Sequence, residues 1–600
     1  MSSSTTAARP RALDATTVPE AFRRTAEDRP GDVAVRTQCD AVSWTWAELR
    51  ERVDALAAGL SKLGVRKGDT VALLLSNRPE FHQADLAAMT LGATPFSIYN
   101  TYSPEQIQFV VSDAGAKVLV AEQALLANAL AARADLPQLE HVVVVDGDPP
   151  DGCLALADVM ADGEPGFDPQ ASIAAIGPED VVTLIYTSGT TGPPKGVQIC
   201  HRNVMATVNT VTSVIDFPGD GRVISWLPAA HIAERTAHHY LPIAYGLTVT
   251  CCHDPRQIAA YLPEVRPSWF FAVPRIWEKL KAGMEAMLGG LPDEQRAPVQ
   301  QALDASLRKV RLEQRGERVP EELAAAVRQA DERIFAPLRA QLGFDQAQAV
   351  NVGAAPTPVE VLEFFHAIGI PVAELWGMSE TCGAGCVNPP DRIKIGTVGP
   401  PTAGIEVRLG DDGELLVRGD VVMLGYRNLP DKTVEALDAD GWLHTGDIAE
   451  IDEDGYVKIV DRKKEIIINA AGKNMSPANI EATVKSSSPL IGQAAVIGDG
   501  RPYNTALIVL DADFAPAWAK QQGIEAADLA ALAADDRVRA AVQEGVDAAN
   551  AKLARVEQIK RFHVVGGDWL PGGDELTPTM KLKRKPIAEK YAAEIEAMYA

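Results

Sequence analysis

Trp46, Leu49, Val53, Leu56, Leu60 and Leu63 fall three or four residues apart, which puts one apolar stripe on a helix over residues 46–63. A second pattern alternates with such helical stretches through the first 460 or so residues. Short apolar runs at residues 71–75, 117–121, 141–145, 181–186 and 269–273 are each bounded by polar or turn residues. Strands buried on both faces read as continuous apolar runs, and in α/β proteins such strands are parallel. The pattern therefore predicts an α/β fold with buried parallel strands.

Two stretches break this rhythm. Residues 279–344 are rich in Ala, Glu, Gln, Arg and Leu and read as a helical excursion from the α/β body, most simply a solvated insert. A further change follows Asp461-Arg462-Lys463-Lys464. Beyond it come a strand at 465–469, a helix at 477–485, strands at 494–497 and 506–510, a long Ala-rich helical stretch, and a strand at 562–565. This order predicts a compact α+β domain. The expected division is 1–460, a junction at 461–464, and 465–600. No internal repeat of 20–50 residues is visible.

At 600 residues the chain exceeds what one hydrophobic core supports, so at least two domains are expected. A net charge of −24 argues against nucleic acid as a partner and requires any polyanionic ligand to meet a locally basic site. Seven cysteines are too few for a disulfide scaffold. Cys382 and Cys386 lie four apart without a second ligand pair, so zinc is not expected. The N-terminus is polar, and no run of 18 apolar residues occurs. A cytoplasmic chain is expected, with peripheral membrane contact left open.

The densest chemistry lies at residues 186–197, Tyr-Thr-Ser-Gly-Thr-Thr-Gly-Pro-Pro-Lys-Gly-Val. Its glycines allow sharp turns and close approach of backbone N–H groups to an anion. The hydroxyls of Thr187, Ser188, Thr190 and Thr191 add donors, Gly189 and Gly192 add freedom, and Lys195 adds charge. Gly196 follows Lys195, so this is not the phosphate loop that ends Gly-Lys-Ser/Thr. Further motifs appear in order: Asn351-Val352-Gly353-Ala354-Ala355-Pro356, Trp376-Gly377-Met378-Ser379-Glu380-Thr381, Thr445-Gly446-Asp447, Asp461 to Glu465, Lys473 to Pro477, and Pro578-Thr579-Met580-Lys581-Leu582-Lys583-Arg584. Over essentially its whole length the chain resembles the acyl-adenylate-forming superfamily of acyl-CoA synthetases, adenylation domains and luciferases.

That resemblance implies a large multi-sheet N-terminal domain and a small mobile α+β C-terminal domain. It also implies ATP and magnesium as cofactors, with coenzyme A as co-substrate. A carboxylate attacks the α-phosphate of ATP, pyrophosphate leaves, and a thiol then attacks the acyl-adenylate. By the resemblance Gly353, Ala354, Ala355 and Pro356 wall the adenine, and Trp376, Gly377, Met378 and Ser379 continue that wall. Glu380 ligates magnesium with Thr187 beside it, since magnesium takes oxygen ligands and few carboxylates. Asp447 accepts from the ribose hydroxyls, and Arg462 holds ribose or phosphate oxygens. His231 lines the acyl site. Lys581 is the catalytic lysine, although Met580 stands where the family has glycine, and Lys583 is the alternative. Lys464 matches the hinge, and Gly472 faces the thiol tunnel.

Gly377 stands where relatives acting on the smallest acids carry a large aromatic residue, which implies room for a longer acyl chain. The C-terminal lysine motif, the helical excursion and Gly396 to Pro400 resemble the long-chain acyl-CoA synthetase branch. The expected activity is ATP-dependent ligation of a long-chain fatty acid to coenzyme A. Loading of a carrier protein, a medium-chain or other acid, a luciferase-type oxygenase, and a non-catalytic nucleotide- or acyl-binding protein are the alternatives.

Overall fold

The computed structural model describes residues 9–187, 193–470, 473–526 and 528–600. The apolar stripe forms the helix Trp46–Lys62, with Trp46, Leu49, Val53, Leu56 and Leu60 buried. Thr45 and Glu48 close its N-terminus reciprocally, side chain to backbone in each direction. A capping box satisfies two otherwise orphaned N–H groups, so the helix starts where its apolar face begins.

The short apolar runs become strands, most of them parallel. Thr94–Ser97, Thr70–Leu74, Val118–Ala121, His141–Val144 and Leu154–Ala155 form one five-stranded sheet with every neighbour parallel. Trp269–Ala272, Ala349–Val352 and Val372–Trp376 run parallel in a second sheet, closed by antiparallel Cys386–Val387. Val181–Thr187 departs from the expectation: it pairs antiparallel with Lys195–Cys200. A parallel partner needs a crossover of a dozen or more residues, whereas the connection here is a short Gly/Thr/Pro loop that permits only a hairpin. A four-stranded antiparallel sheet of Ile405–Leu409, Glu414–Gly419, Leu443–Ile451 and Val457–Arg462 follows.

The excursion is helical and begins a little earlier than its composition suggests. It comprises Pro274–Gly289, Asp293–Gln314 and Glu321–Ala330, a wide turn at Asp331–Phe335, and Ala336–Leu342. Leu303, Ser306 and Val310 are its inward positions on the longest helix, which packs on Val359–Ala367.

Beyond Arg462 the chain turns rather than continuing as a strand, because Glu465 N and Ile466 N both donate to Arg462 O. The strand expected at 465–469 shrinks to Ile467–Ile468 for that reason. The helix Pro477–Ser486 and a three-stranded sheet of Ile491–Ile497, Asn504–Leu510 and Ile559–Val565 follow, with helices Phe514–Gln521, Leu529–Ala534, Asp536–Lys552, Arg584–Lys590 and Ala592–Tyr599. The buried apolar clusters divide here too: those before this point end at Val457, and those after it start at Ile467. Among the described residues no helix is long and apolar enough to cross a membrane.

Candidate active site

Thr187 and Lys195 are register partners at the loop end of the 181–200 hairpin, and the Thr187 hydroxyl donates to Lys195 O at 3.4 Å. Ser188, Gly189, Thr190, Thr191 and Gly192 lie outside the described residues. A third strand, Gly425–Tyr426, pairs Tyr426 with Val197 and so lays the tyrosine ring beside Lys195. The Lys195 ammonium sits 3.9 Å from the ring centroid, and the Tyr426 hydroxyl donates to Glu380 Oε1 at 2.7 Å. Glu380 itself is buried in the single turn Ser379–Thr381. Partial burial moves the Lys195 ammonium below the usual lysine pKa, with Glu380 opposing and Lys464 reinforcing the shift.

Asp447 marks the other end of the cleft. It is buried, receives the Trp376 indole N–H at 2.8 Å, and meets Arg462 Nε at 2.8 Å. Burial outweighs Arg462 and Trp376, so its carboxyl lies above the usual aspartate pKa. Arg462 thus pairs with Asp447 rather than with its sequence neighbours. Trp376 lies against Gly385, where a Cβ would stand 2.6 Å from its ring, and its indole N–H holds the Asp447 carboxylate in place. Glu414 ties this segment together by accepting from Gly446 N and from Lys463 Nζ.

The loop expected to wall the adenine leaves the strand Ala349–Val352 at Gly353, where a Cβ would meet Leu375 Cδ1 at 2.9 Å. Ala354, Ala355 and Pro356 are exposed, and Ala354 takes φ +72°. A non-glycine residue in the left-handed region is strained, a recurrent mark of ligand sites. Met378 and Ser379 lead from this wall into the Glu380 turn.

Gly377 requires a correction. A Cβ there would stand 2.4 Å from Gly383 O and 2.6 Å from Gly383 C, so the direction a side chain would take is filled by backbone. The close approach of two loop segments demands this glycine whatever acid is bound. Gly377 therefore carries no information about acyl-chain length.

His231 and Lys581 approach the same cleft from opposite domains. His231 caps the short helix Ile232–Arg235, its Nδ1 accepting from Ala233 N at 3.1 Å. That bond assigns the ring proton to Nε2. Desolvation, and then the charge of Lys581, push its pKa down to about 4, so the ring is neutral near pH 7. Lys581 keeps contact with water while protein surrounds it, and this partial desolvation together with Arg462 lowers its ammonium pKa, opposed by Asp447, Glu465 and Glu380.

The Lys581 loop is a closed turn: Thr577 N donates to Lys581 O, Lys581 N to the Thr577 hydroxyl, and Met580 N to Thr577 O. Met580 adopts φ +66°, the conformation the family's glycine would take freely. The backbone thus matches the motif in the register that presents Lys581. Lys583 is engaged elsewhere, its ammonium donating to Gly573 O at 2.7 Å. Arg584 braces the turn by pairing with Glu465 and Glu481.

Lys195, Glu380, Asp447, Arg462, His231 and Lys581 therefore share one electrostatically coupled cleft. Lys464 is exposed beside it, and Gly472 lies outside the described residues. Glu380 suits magnesium: Oε1 is taken by a phenol, and the carboxylate is an oxygen ligand facing the Lys195 side of the cleft. Sequence reading missed Tyr426 and Glu414. Gly-Tyr and Asp-Gly-Glu are common strings, and only strand pairing shows what they face.

Two family models match the chain: AMP-binding enzyme over residues 22–427, and AMP-binding enzyme C-terminal domain over residues 464–600. A Mycobacterium tuberculosis protein named as the fatty-acid–CoA ligase fadD11 is 51% identical over 75% of this chain and 79% of its own length. Long-chain-fatty-acid–CoA ligase FadD15 of the same organism is 35% identical over 95% of both chains. Among solved structures, a Mycobacterium tuberculosis fatty acyl CoA synthetase shares the fold at 24% identity and TM-score 0.61, covering 96% of this chain and 99% of its own. The anthranilate CoA ligase AuaEII, in complex with anthranoyl-AMP, matches at 20% identity and TM-score 0.73, over 97% of this chain and 98% of its own.

Proposed function

The chain belongs to the AMP-binding enzyme family, and from that premise we propose how its cleft joins a long-chain fatty acid to coenzyme A. It is a fatty-acid–CoA ligase that uses ATP. One arrangement supports the assignment of residues: Arg462 pairs with Asp447, which Trp376 also holds, and Lys581 from beyond the 457–467 boundary lies within electrostatic reach of Arg462, Asp447 and Glu380.

The acid arrives ionised, because a carboxylic acid has its pKa far below 7. The neutral His231 donates Nε2–H to one carboxylate oxygen and orients it, without transferring a proton. Lys581 places a cation between that carboxylate and the α-phosphate, where negative charge would otherwise repel the nucleophile. Lys195 and the neighbouring hydroxyls hold the departing pyrophosphate side, and Asp447 with Arg462 holds the ribose. Such fixed charges act where charge develops during phosphoryl attack. Magnesium bound at Glu380 with Thr187 nearby would supply further neutralisation of the phosphates.

The second half-reaction needs a thiol at the acyl carbon, beside which Lys581 would stand during the first. Rotation of residues 465–600 about 461–464, with Lys464 absorbing the backbone change, withdraws Lys581 and brings the segment around Gly472 to the site. Support for long acids comes from the likeness to FadD15, from the helical excursion and from the lysine motif, and not from Gly377. Each methylene discriminates by only ~1–3 kcal/mol in an apolar pocket, so the preference is broad.

The test is acid-dependent AMP release with and without coenzyme A, across acids from acetate to stearate. Release that requires coenzyme A and peaks among long chains is expected. An optimum at acetate or an aryl acid, or release indifferent to coenzyme A, overturns the reading.

A further inference from the structure

Lys195 and Glu380 carry opposite charges, act on each other electrostatically, and yet form no ion pair among the described residues. Tyr426 stands between them. Its π-face takes the ammonium at 3.9 Å and its hydroxyl donates to the carboxylate at 2.7 Å. An aromatic face holds a cation by its quadrupole without neutralising it. A phenol donor likewise satisfies one carboxylate oxygen and leaves the negative charge in place. We propose that Tyr426 is a positioning residue that keeps Lys195 and Glu380 from neutralising each other, so that both charges remain available to ATP and its metal.

The local build supports this role. Tyr426 is fixed at both ends of its two-residue strand: the strand pairs with Val197 and Gln198, and Tyr426 N donates to the Thr433 hydroxyl at 2.9 Å. Glu380 is fixed from the same segment, since Met423 N donates to Glu380 O. One stretch, 423–426, thus sets both the backbone of Glu380 and the position of Lys195. Without the ring, a half-buried cation and a buried carboxylate would close on each other, because direct pairing offsets their desolvation. The self-neutralised pair would then bind triphosphate and metal weakly. This inference rests on Lys195 and Glu380 being the ATP-side groups proposed above.

The test measures the pKa of Lys195 in the full chain without ATP, by competitive acetylation with acetic anhydride over a pH series and mass spectrometry of the peptide. The variants are Tyr426→Phe, which keeps the ring and loses the donor, and Tyr426→Leu, which loses both. The Lys195 pKa should rise in the order wild type, Phe, Leu, by about one unit or more in the last. In ATP–pyrophosphate exchange, kcat/KM for ATP should fall by roughly a hundredfold in Tyr426→Leu, as when one preorganised electrostatic partner is lost. Thioester formation from supplied acyl-adenylate should be unchanged.

A Lys195 pKa at the wild-type value in both variants overturns the inference, as does equal loss in the two half-reactions. Should Tyr426→Leu fail to fold, Tyr426→Phe decides alone: a raised Lys195 pKa supports the inference and an unchanged one overturns it. Lys195→Ala and Glu380→Gln report separately. If they retain exchange, the ATP-side assignment falls, and the order of Lys195 pKa values still decides the role of Tyr426.

Discussion

Asp447 and Arg462 are register partners on neighbouring antiparallel strands, and Asp447 Oδ1 lies 2.8 Å from Arg462 Nε. The carboxylate assigned to the ribose is therefore held by a residue inside the proposed hinge. Rotation at 461–464 would loosen this pair, which couples nucleotide grip to domain orientation.

Arg462 lowers the pKa of both Asp447 and Lys581, so removing its charge should move both limbs of the pH profile in one direction. Asp447 must be ionised; burial raises its pKa, so activity falls as pH drops through a value above the ordinary aspartate range. Lys581 must be protonated; its pKa is lowered, so activity falls as pH rises through a value below the ordinary lysine range. In Arg462→Gln both limbs shift to higher pH, by roughly one to three units for a direct Arg–Asp pair and less for Lys581. The check is kcat/KM for ATP against pH in pyrophosphate exchange. A shift of either limb to lower pH would refute the arrangement.

Lys581→Ala should separate the half-reactions. Loss of one charge aimed at the transition state costs about 10²–10³ in rate, so adenylate formation should fall by that factor. Thioester formation from purified acyl-adenylate should persist, because Lys581 is withdrawn for that step. Single-turnover measurement of each half-reaction decides this, and equal losses would reject Lys581 as the adenylation lysine.

The C-terminal part docks through three ion pairs: Arg275 with Asp511, Lys279 with Asp513 at 2.9 Å, and Lys552 with Glu360 at 2.5 Å. They hold the orientation in which Lys581 enters the cleft. The Lys279–Asp513 and Lys552–Glu360 pairs are exposed, and such pairs are worth only about 0–1 kcal/mol each and weaken with salt, whereas Arg275–Asp511 is largely shielded from solvent. Arg275→Gln combined with Lys279→Gln should therefore slow adenylation several-fold and leave thioester formation equal or faster. Asp511 is the poorer target, since it also accepts from Asp513 N and Phe514 N at the start of a helix. High salt should reproduce the effect in the wild type and have less effect in the double variant.

Gly377→Ala tests the packing explanation for that glycine. Its Cβ would collide with the Gly383 backbone, and overpacking of this kind costs about 1–3 kcal/mol. Denaturant midpoint and activity should fall together for all acids. A changed chain-length optimum at unchanged stability would restore the acyl-pocket explanation.

Much of the fold was legible because burial writes itself into composition. The stripe at 46–63 became the helix Trp46–Lys62, and the runs at 71–75, 117–121 and 141–145 became parallel strands with ends shifted by a residue or so. The run at 181–186 looked the same but pairs antiparallel, since an apolar run records burial and not the direction of its neighbour. The strand expected at 465–469 shrank to Ile467–Ile468 because a turn at Arg462 captured its first N–H groups.

The sequence alone determined the list of chemically able residues, including Lys195, Glu380, Asp447, Arg462 and Lys581, and the order in which they occur. Their identities and local turns are properties of short segments, so they survive in one dimension. Tertiary structure decided which of them meet: Arg462 with Asp447, and Tyr426 between Lys195 and Glu380, with Lys581 brought within electrostatic reach of His231. It also decided that Gly377 is held by backbone contact rather than by an acyl chain. Those facts depend on distances between segments far apart in the chain. Strand pairing and domain docking set such distances, and no local pattern of residues encodes them.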